Sequence, residues 1–513
     1  MPQNFITCDR GQSMLMPPDL LDWVPDDHVV WSILGAVDQI DLSAFYGVYR
    51  ENGQGRAAYE PSMMVALLLY AYARGNRSSR GIERACREDV TYKLITAMRV
   101  PDHSTIAEFR RRHEQAIGEL FVSVLALCGE AGLVRVGEIA VDGTRMRANA
   151  SRDCNRGYES IVIEILQEAE RLDREEDERF GDARGDELPA PLRTREGRRE
   201  ALRAARERLE RERAAAQQAG EEVIAKVDLE LDRDRFPAAL DGRAIWLREG
   251  RRELEARRER EPWPVPRSRG ERLIEARRRM DEELAFEHAA NRAYEHYRRT
   301  GRRSDGRRFG KPAKPYSPAL VPEGKINVTD PDSREMRTQG QPNIQGYNAQ
   351  AVVTEQQVII AAEITTQSPD FGQLEPMVTA ALGELENAGV TERPRTVLAD
   401  AGYWHKNQIE HLLADRFQVL VPPDSMVRQG TRPGWEGGMY AFMRRVLRTD
   451  LGRELYIKRR HSIEPVFGQI KHNREMTRFR RRGRTAARSE WRLIAATHNL
   501  LKLHSHWISP VTA

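Results

Sequence analysis

Val136-Gly-Glu-Ile-Ala-Val-Asp-Gly-Thr144 is an apolar run that closes on an aspartate, and Thr396-Val-Leu-Ala-Asp-Ala-Gly-Tyr403 repeats the arrangement far downstream. Each reads as a strand whose end presents a carboxylate, Asp142 in the first and Asp400 in the second. A third carboxylate, Glu464, opens a helical pattern, Ser462-Ile-Glu-Pro-Val-Phe-Gly-Gln-Ile-Lys471, with Arg460 one turn before it and Lys471 two turns after. Positions 460, 464, 467 and 471 share one side of an α-helix. Two strand-end aspartates and one helix glutamate are hard oxygen donors suited to a pair of Mg²⁺ ions, the equipment of polynucleotidyl transfer.

Period and punctuation order the elements between these landmarks. Val134 to Asp142 is the first strand. Tyr347 to Val353 and Val358 to Thr365 flank a short turn, Thr354 to Gln357, as a hairpin. A helix fits Gln373 to Leu385, with Asp370 as its cap. Thr396 to Asp400 is a fourth strand, His405 to Ala414 a helix and Gln418 to Val421 a fifth strand, before the helix of Glu464. This order is that of an α/β fold with an RNase H-like mixed sheet, interrupted after its first strand. Neighbouring strands lie about 4.8 Å apart, so Asp142 and Asp400 on adjacent central strands converge on metals roughly 3.5–4 Å apart. Asp142 is expected to bridge both ions, with Asp400 and Glu464 each holding one. Gly143 and Gly402 leave room beside the carboxylates for a backbone or phosphate. Pro465 is tolerated as part of the helix's first turn.

Composition narrows the function classes. A chain of 513 residues is too long for one ordinary core, and 40% hydrophobic residues exclude a disordered protein. Lys+Arg number 82 against 78 Asp+Glu, a net charge of only +4, so nucleic-acid contact must come from the distribution of charge. The longest apolar stretch, Met63 to Ala73, falls short of the roughly 20 residues of a membrane span. No basic start followed by an apolar core reads as a signal peptide. Cys8, Cys86, Cys128 and Cys154 show neither CxxC spacing nor a disulfide pattern. A cytoplasmic location without membrane association is therefore expected. His103, His113, His461 and His498 lack paired metal spacing, which argues against zinc.

Residues 1–58 read as an N-terminal arm. Residues 59–130 are helical by period, through Met63–Tyr72, Arg80–Glu88 and a third helix capped by Asp102 or Ser104 that carries Arg110, Arg111 and Arg112. Short helices with tight turns and an arginine-rich last member suit a helix-turn-helix-like DNA-binding domain; the plainer alternative is a packing domain with solvated arginines. Residues 131–156 together with 311–507 make the sheet domain. Residues 157–310 form a charged helical insertion rich in Arg, Glu and Ala, densest over Arg195–Arg213 and broken at Pro262, Pro264 and Pro266. Alternating charge at helical spacing reads as a solvated face, and a hairpin laid on DNA or on a second protomer is the functional alternative.

Basic charge gathers near the third carboxylate. Between Ile457 and Arg488 eleven Lys/Arg stand against Glu464 and Glu475, a surplus of nine that exceeds the net charge of the chain. Arg478-Phe-Arg-Arg-Arg-Gly-Arg484 is expected to track a DNA backbone through salt-dependent phosphate contacts of Arg478, Arg480, Arg481 and Arg482. Arg460 and Lys471 are placed to hold phosphates near the metals. The last helix, Ser489 to His506, carries Trp491, Ile494, Leu500 and Leu501 and is expected to pack under the sheet. Of the other acids, Asp330 and Asp332 read as loop caps and Glu363 as solvent-facing.

From about Tyr59 to Trp507 the chain resembles the DDE transposases of bacterial insertion sequences, most closely the IS1182 group within the IS4/IS5-like assemblage. Tyr59-Glu-Pro-Ser-Met-Met64 through Pro101-Asp-His-Ser-Thr-Ile-Ala-Glu-Phe-Arg-Arg-Arg-His113 resembles the family's helical DNA-binding domain. Asp142-Gly-Thr144, Thr329-Asp-Pro-Asp-Ser-Arg334, Gly346-Tyr-Asn-Ala-Gln350, Asp400-Ala-Gly-Tyr403 and Glu464-Pro-Val-Phe-Gly-Gln-Ile-Lys471 resemble its catalytic signatures. The resemblance implies Asp142, Asp400 and Glu464 as a metal-binding triad, with two Mg²⁺ ions for which Mn²⁺ substitutes. It implies double-stranded DNA as partner, both transposon ends and target, and a homodimer or higher oligomer on paired ends. The related Tyr-x₂-Arg-x₃-Glu-x₆-Lys signature places Arg460 and Lys471 around Glu464; its tyrosine position is Ile457, with Tyr456 one residue away. The implied activity is hydrolysis that frees a 3′-hydroxyl, followed by attack of that hydroxyl on target DNA. The alternatives are an end-binding protein without cleavage, such as an inactive or domesticated transposase, and a structural protein built on the arginine–glutamate helices.

Overall fold

The computed structural model describes residues 19–49, 57–180, 268–300, 319–338, 341–424 and 437–508, with scattered positions between 247 and 317. Arg195–Arg213 and Pro262 and Pro264 lie outside the described residues. The chain divides into two compact units, with boundaries after Ala150 and before Asp332.

The first unit holds a mixed α/β sheet. Its strands are β1 (Glu138–Arg147), then, beyond two short strands of the second unit, β2 (Asn155–Arg156) and β3 (Ile326–Asn327), the strands β4 (Arg334–Thr338), β5 (Gln341–Thr354), β6 (Ile359–Thr365), β7 (Thr396–Ala399) and β8 (Gln418–Leu420). The central order is β5-β1-β7-β8, and β4 and β6 both pair with β5. β1 runs antiparallel to β5 and parallel to β7, which is parallel to β8. The hairpin expected from the sequence is β5–β6, and the fourth and fifth strands fall at β7 and β8. β1 differs from expectation. It does not stop at Asp142 but continues to Arg147, because β5 extends alongside it, pairing Asp142 with Ala351 and Arg147 with Gly346.

Fourteen helices are labelled among the described residues. In the first unit, α1 (Val29–Gln39), α2 (Ser43–Tyr46), α3 (Pro61–Ala73), α4 (Ser79–Glu88), α5 (Val90–Ile95), α6 (His103–Arg112) and α7 (Glu114–Glu130) precede the sheet. α8 (Tyr158–Phe180) and α9 (Arg269–Thr300) belong to the second unit. α10 (Leu374–Asn387), α11 (Lys406–Ala414), α12 (Gly438–Val446), α13 (Asp450–Gly468) and α14 (Arg484–Ile508) complete the first. Asp102 caps α6 as its sequence suggests, accepting from Ser104 and Thr105 backbone N–H, both at 2.9 Å.

The early helices and the sheet share one core. α3 is apolar all round and buries nearly every residue from Met64 to Ala73, as a helix enclosed on all sides must. Val30, Ile33 and Ala36 of α1 are fully buried in the same core, so the described part of the expected arm, residues 19–49, packs inward. α14 also buries more than one face: Trp491, Leu493, Ile494, Leu500 and Leu503 are all enclosed. Truncating such a side chain costs about 2–5 kcal/mol. Asn499 extends the hydrogen bonding of β6, its Oδ1 accepting from Ile359 N at 2.9 Å and its Nδ2 donating to Ile359 O at 2.8 Å.

α13 starts at Asp450, well before the expected first turn at Ser462, so Pro465 sits inside it. Proline lacks the N–H that would bond the carbonyl four residues back. That carbonyl, His461 O, instead accepts from Gln357 Nε2 at 2.9 Å. A π-helical turn, Gln469–Asn473, follows directly.

In the second unit, Ile161 of α8 packs with Leu273, Ala276 and Met280 of α9 and with Ile326 of β3. Arg171–Glu168 at 2.8 Å and Arg278–Glu275 at 2.7 Å pair within the helices with both glutamates buried, so these charges differ from the solvated faces expected there.

Candidate active site

Val141 and Ala399 pair in register on the parallel strands β1 and β7, so the next residues, Asp142 and Asp400, leave neighbouring strands at the same level. Asp142 accepts from its neighbour Gly143 N at 2.8 Å through Oδ1 and from Arg459 Nη1 at 2.8 Å through Oδ2. Asp400 caps a short turn, accepting from Gly402 N at 2.8 Å. Burial pushes the Asp142 carboxyl up to about 6; Arg459 opposes the rise and the charge of Asp400 adds to it. Asp400 is raised too, first by burial and also by Asp370, against the pull of Gly402 N–H and Arg459. Asp142 and Asp400 thus face the same Arg459 guanidinium, with Arg145 also acting on Asp400, and burial still raises both carboxyls.

Asp370 belongs to this corner. It does not cap α10 with its side chain, as expected from sequence: α10 begins at Leu374, and Gln373 at its N-cap makes no side-chain cap bond. Asp370 Oδ1 accepts from Asn348 Nδ2 at 2.7 Å and Gln350 Nε2 at 2.8 Å, and Oδ2 lies 3.6 Å from Arg145 Nη2. Gln350 Oε1 accepts in turn from the Tyr403 hydroxyl. That phenol is fully enclosed and held well above its ordinary range, chiefly by burial and then by the charges of Asp370, Asp142 and Asp400. Lys471 Nζ donates to Arg145 O at 3.0 Å, and burial together with Arg145 lowers its ammonium.

Several expected placements differ. The space beside Gly143 is filled, since a Cβ there would contact Gln350 Nε2 and meet Asp370 Oδ1 at 2.6 Å. α13 turns Arg459, Ser462, Ile463 and Val466 inward, while Arg460 and Glu464 are exposed on another face. One residue is a 100° step around a helix, and that step separates buried Ile463 from Glu464. Among the described residues no three His, Cys, Asp or Glu are grouped so as to hold a metal ion. Arg459, not Arg460, therefore meets the carboxylates. Its spacing from Tyr456, Tyr-x₂-Arg, was the available signal, and its guanidinium carbon lies 5.8 Å from that ring's centroid.

The basic residues also sort differently. Arg110 is buried and donates to Tyr72 Oη at 3.2 Å, to Arg77 O at 2.9 Å and to Ser79 Oγ, so it braces the helices instead of facing DNA. Arg111 is exposed and pairs with Glu108, and Arg112 is exposed near the Tyr49 ring. Arg478, Arg480 and Arg482 are exposed, while Arg481 is half-buried against Glu114. Their loop is held by its backbone: Glu490 Oε2 accepts from Arg480 N at 2.8 Å and Arg481 N at 3.1 Å, and Arg478 O accepts from Arg77 Nη1 at 2.5 Å. Glu363 is not solvent-facing but pairs with Arg488 and Arg492. Asp332, read as a loop cap, accepts from Arg484 N at 2.8 Å at the start of α14, 152 residues away.

Two family models match the chain. Residues 18–112 match a Transposase domain (DUF772), and residues 323–500 match a Transposase DDE domain. Neither a curated protein nor a solved structure matches it. Among the described residues no helix is long and apolar enough to cross a membrane. The two matched domains, in this order on one chain, make the protein a member of the DDE transposases, of the IS1182-like type.

Proposed function

We propose that this transposase binds the ends of its insertion sequence, cleaves them in a metal-dependent step and joins the freed 3′-hydroxyl to target DNA, acting as a homodimer or higher oligomer. The observation that carries the proposal is the Asp142–Asp400 pair at one level of adjacent parallel strands. The strand order, with β5 between β1 and β6 and with β7 and β8 parallel to β1, supports an RNase H-like sheet.

The donor chemistry fits a hard divalent cation. Both acids are oxygen donors, both are mostly buried, and a carboxyl raised to about 6 marks charge that one arginine leaves under-compensated. Asp142 and Asp400 would hold Mg²⁺ or Mn²⁺, with Glu464 joining them when DNA is engaged. Bound there, the cations supply Lewis-acid activation of the attacking oxygen and stabilisation of the leaving one.

The chain's own residues do the positioning. Arg459 holds the Asp142 carboxylate in place, and Lys471 fixes the β1 backbone at Arg145. Arg460, on the exposed face of α13 beside Glu464, is assigned to flanking phosphates. Arg478, Arg480 and Arg482 present guanidinium groups from a loop whose backbone is clamped, which favours a fixed DNA path. Arg111 and Arg112 offer a second basic surface on α6. In the first step water oxygen attacks phosphorus and the bond from phosphorus to the 3′-oxygen breaks, leaving a 3′-hydroxyl. In the second that hydroxyl attacks a target phosphodiester and a target 3′-hydroxyl leaves.

Labelled DNA carrying the element's own ends tests this. Retarded complexes without metal and a specific nick on adding Mg²⁺ are expected. Retardation without nicking in Mg²⁺ or Mn²⁺ would instead identify an end-binding protein that does not cut.

A further inference from the structure

Tyr403, buried beneath the site, feels three carboxylate charges, and the third comes from Asp370, not Glu464. A Cβ placed on Gly143 would lie 2.6 Å from Asp370 Oδ1, and one on Gly402 would lie 3.5 Å from Asp370 Oδ2. The Asp370 carboxylate therefore stands against the glycines that follow Asp142 and Asp400. Two amides of β5, Asn348 and Gln350, grip Oδ1, which fixes the direction of the group. A separate feature points into the same corner. Asn348 is fully buried, yet its Oδ1 has no hydrogen-bond partner, and it lies 2.8 Å from that same Gly143 Cβ position. Buried carbonyl oxygens are normally satisfied, and an oxygen left open beside the Asp370 carboxylate suits a hydrated hard cation.

We propose that Asp370 is a positioning residue of the cation site in the DNA-free protein, supplying the third negative charge that retains a hydrated divalent ion at Asp142 and Asp400. The inference rests on the cation-binding role assigned to that pair. Asp370, whose Oδ2 lies 3.6 Å from Arg145 Nη2, acts through its charge and through the water around the ion.

The test is Mn²⁺ binding to the full-length, DNA-free protein, followed as loss of the free Mn²⁺ paramagnetic resonance signal. Wild type is compared with Asp370→Asn and Asp142→Asn, with a thermal melt of each. A buried charge close to a divalent ion contributes enough that Asp370→Asn should weaken Mn²⁺ binding on the order of tenfold. Should Asp370→Asn fail to fold, Asp370→Ser, which also removes the charge, is expected to show the same loss. Unchanged affinity in a folded Asp370 variant overturns the assignment of Asp370. Binding that survives Asp142→Asn, or no binding to wild type, overturns the cation role of the pair itself, and the inference with it.

Discussion

Arg459 donates from Nη1 to Asp142 Oδ2 at 2.8 Å, tying the central strand to helix α13 through the first candidate ligand. Arg459 is buried and its Nε has no hydrogen-bond partner, so this pair is a principal use of its charge. Removing one member of a buried pair leaves the other uncompensated. Arg459→Gln is expected to lower stability by roughly 2–4 kcal/mol at neutral pH, with Mn²⁺ restoring part of the loss. Urea unfolding with and without Mn²⁺ measures both; a variant as stable as wild type would mean the pair contributes nothing.

The raised Asp142 carboxyl has a stability consequence with a definite sign. Its folded value of about 6 lies above the ordinary 3.8. Between these values the folded state holds a proton that the unfolded chain releases, so this group's contribution is favourable below about pH 4 and is lost as pH rises to about 6. Two units correspond to about 3 kcal/mol. Relative to wild type, metal-free Asp142→Asn should therefore gain stability as pH rises from about 4 to 7.5, on top of a pH-independent loss from leaving Arg459 without its partner. Denaturation curves at the two pH values check this, and a difference from wild type independent of pH would contradict it.

Glu490 is buried where it joins Arg77 to the backbone of the basic loop. Glu490→Ala strands Arg77 and frees the N–H groups of Arg480 and Arg481. A stability loss of about 3–5 kcal/mol is expected, with weaker end binding at temperatures where the variant remains folded. The exposed arginines behave differently. Arg480→Ala or Arg482→Ala should leave melting unchanged and reduce the salt slope of DNA binding by about 0.9 for each phosphate no longer neutralised. Filter-binding titrations over a range of salt separate the two effects.

Arg110 and Arg111 are neighbours with opposite expected phenotypes. Arg110→Ala removes a buried guanidinium that braces Tyr72, Arg77 and Ser79, and should cost about 2–4 kcal/mol. Arg111→Ala removes an exposed, solvent-screened pair with Glu108 and should leave the melting temperature unchanged. Melting of the two variants side by side decides the matter.

The strand patterns were legible because each strand has a local signature: an apolar run, a turn and a cap can be read within ten residues. β1 and β7 were found this way, and their terminal acids with them. The continuation of β1 past Asp142 was not, because polar Gly143–Arg145 reads as a loop until β5 is known to lie alongside. The rotation of α13 was hidden for a similar reason. Arg459 and Arg460 are adjacent cations, and only packing of Ile463 and Val466 determines which one turns inward. Asn348 and Gln350 alternate with apolar residues along β5, but that Asp370 is their partner depends on a loop closing over about twenty residues and is not written locally. Glu363 looked exposed because Arg488 and Arg492, which cover it, lie more than a hundred residues away.

The most direct measurement is cleavage of end-labelled DNA carrying the element's own ends, in Mg²⁺ and in Mn²⁺, by wild type, Asp142→Asn and Asp400→Asn. Specific release of a 3′-hydroxyl by wild type is expected, with a loss of at least about a hundredfold in each variant and end binding retained in both. Full cleavage by either variant would remove that aspartate from the site and contradict the central claim.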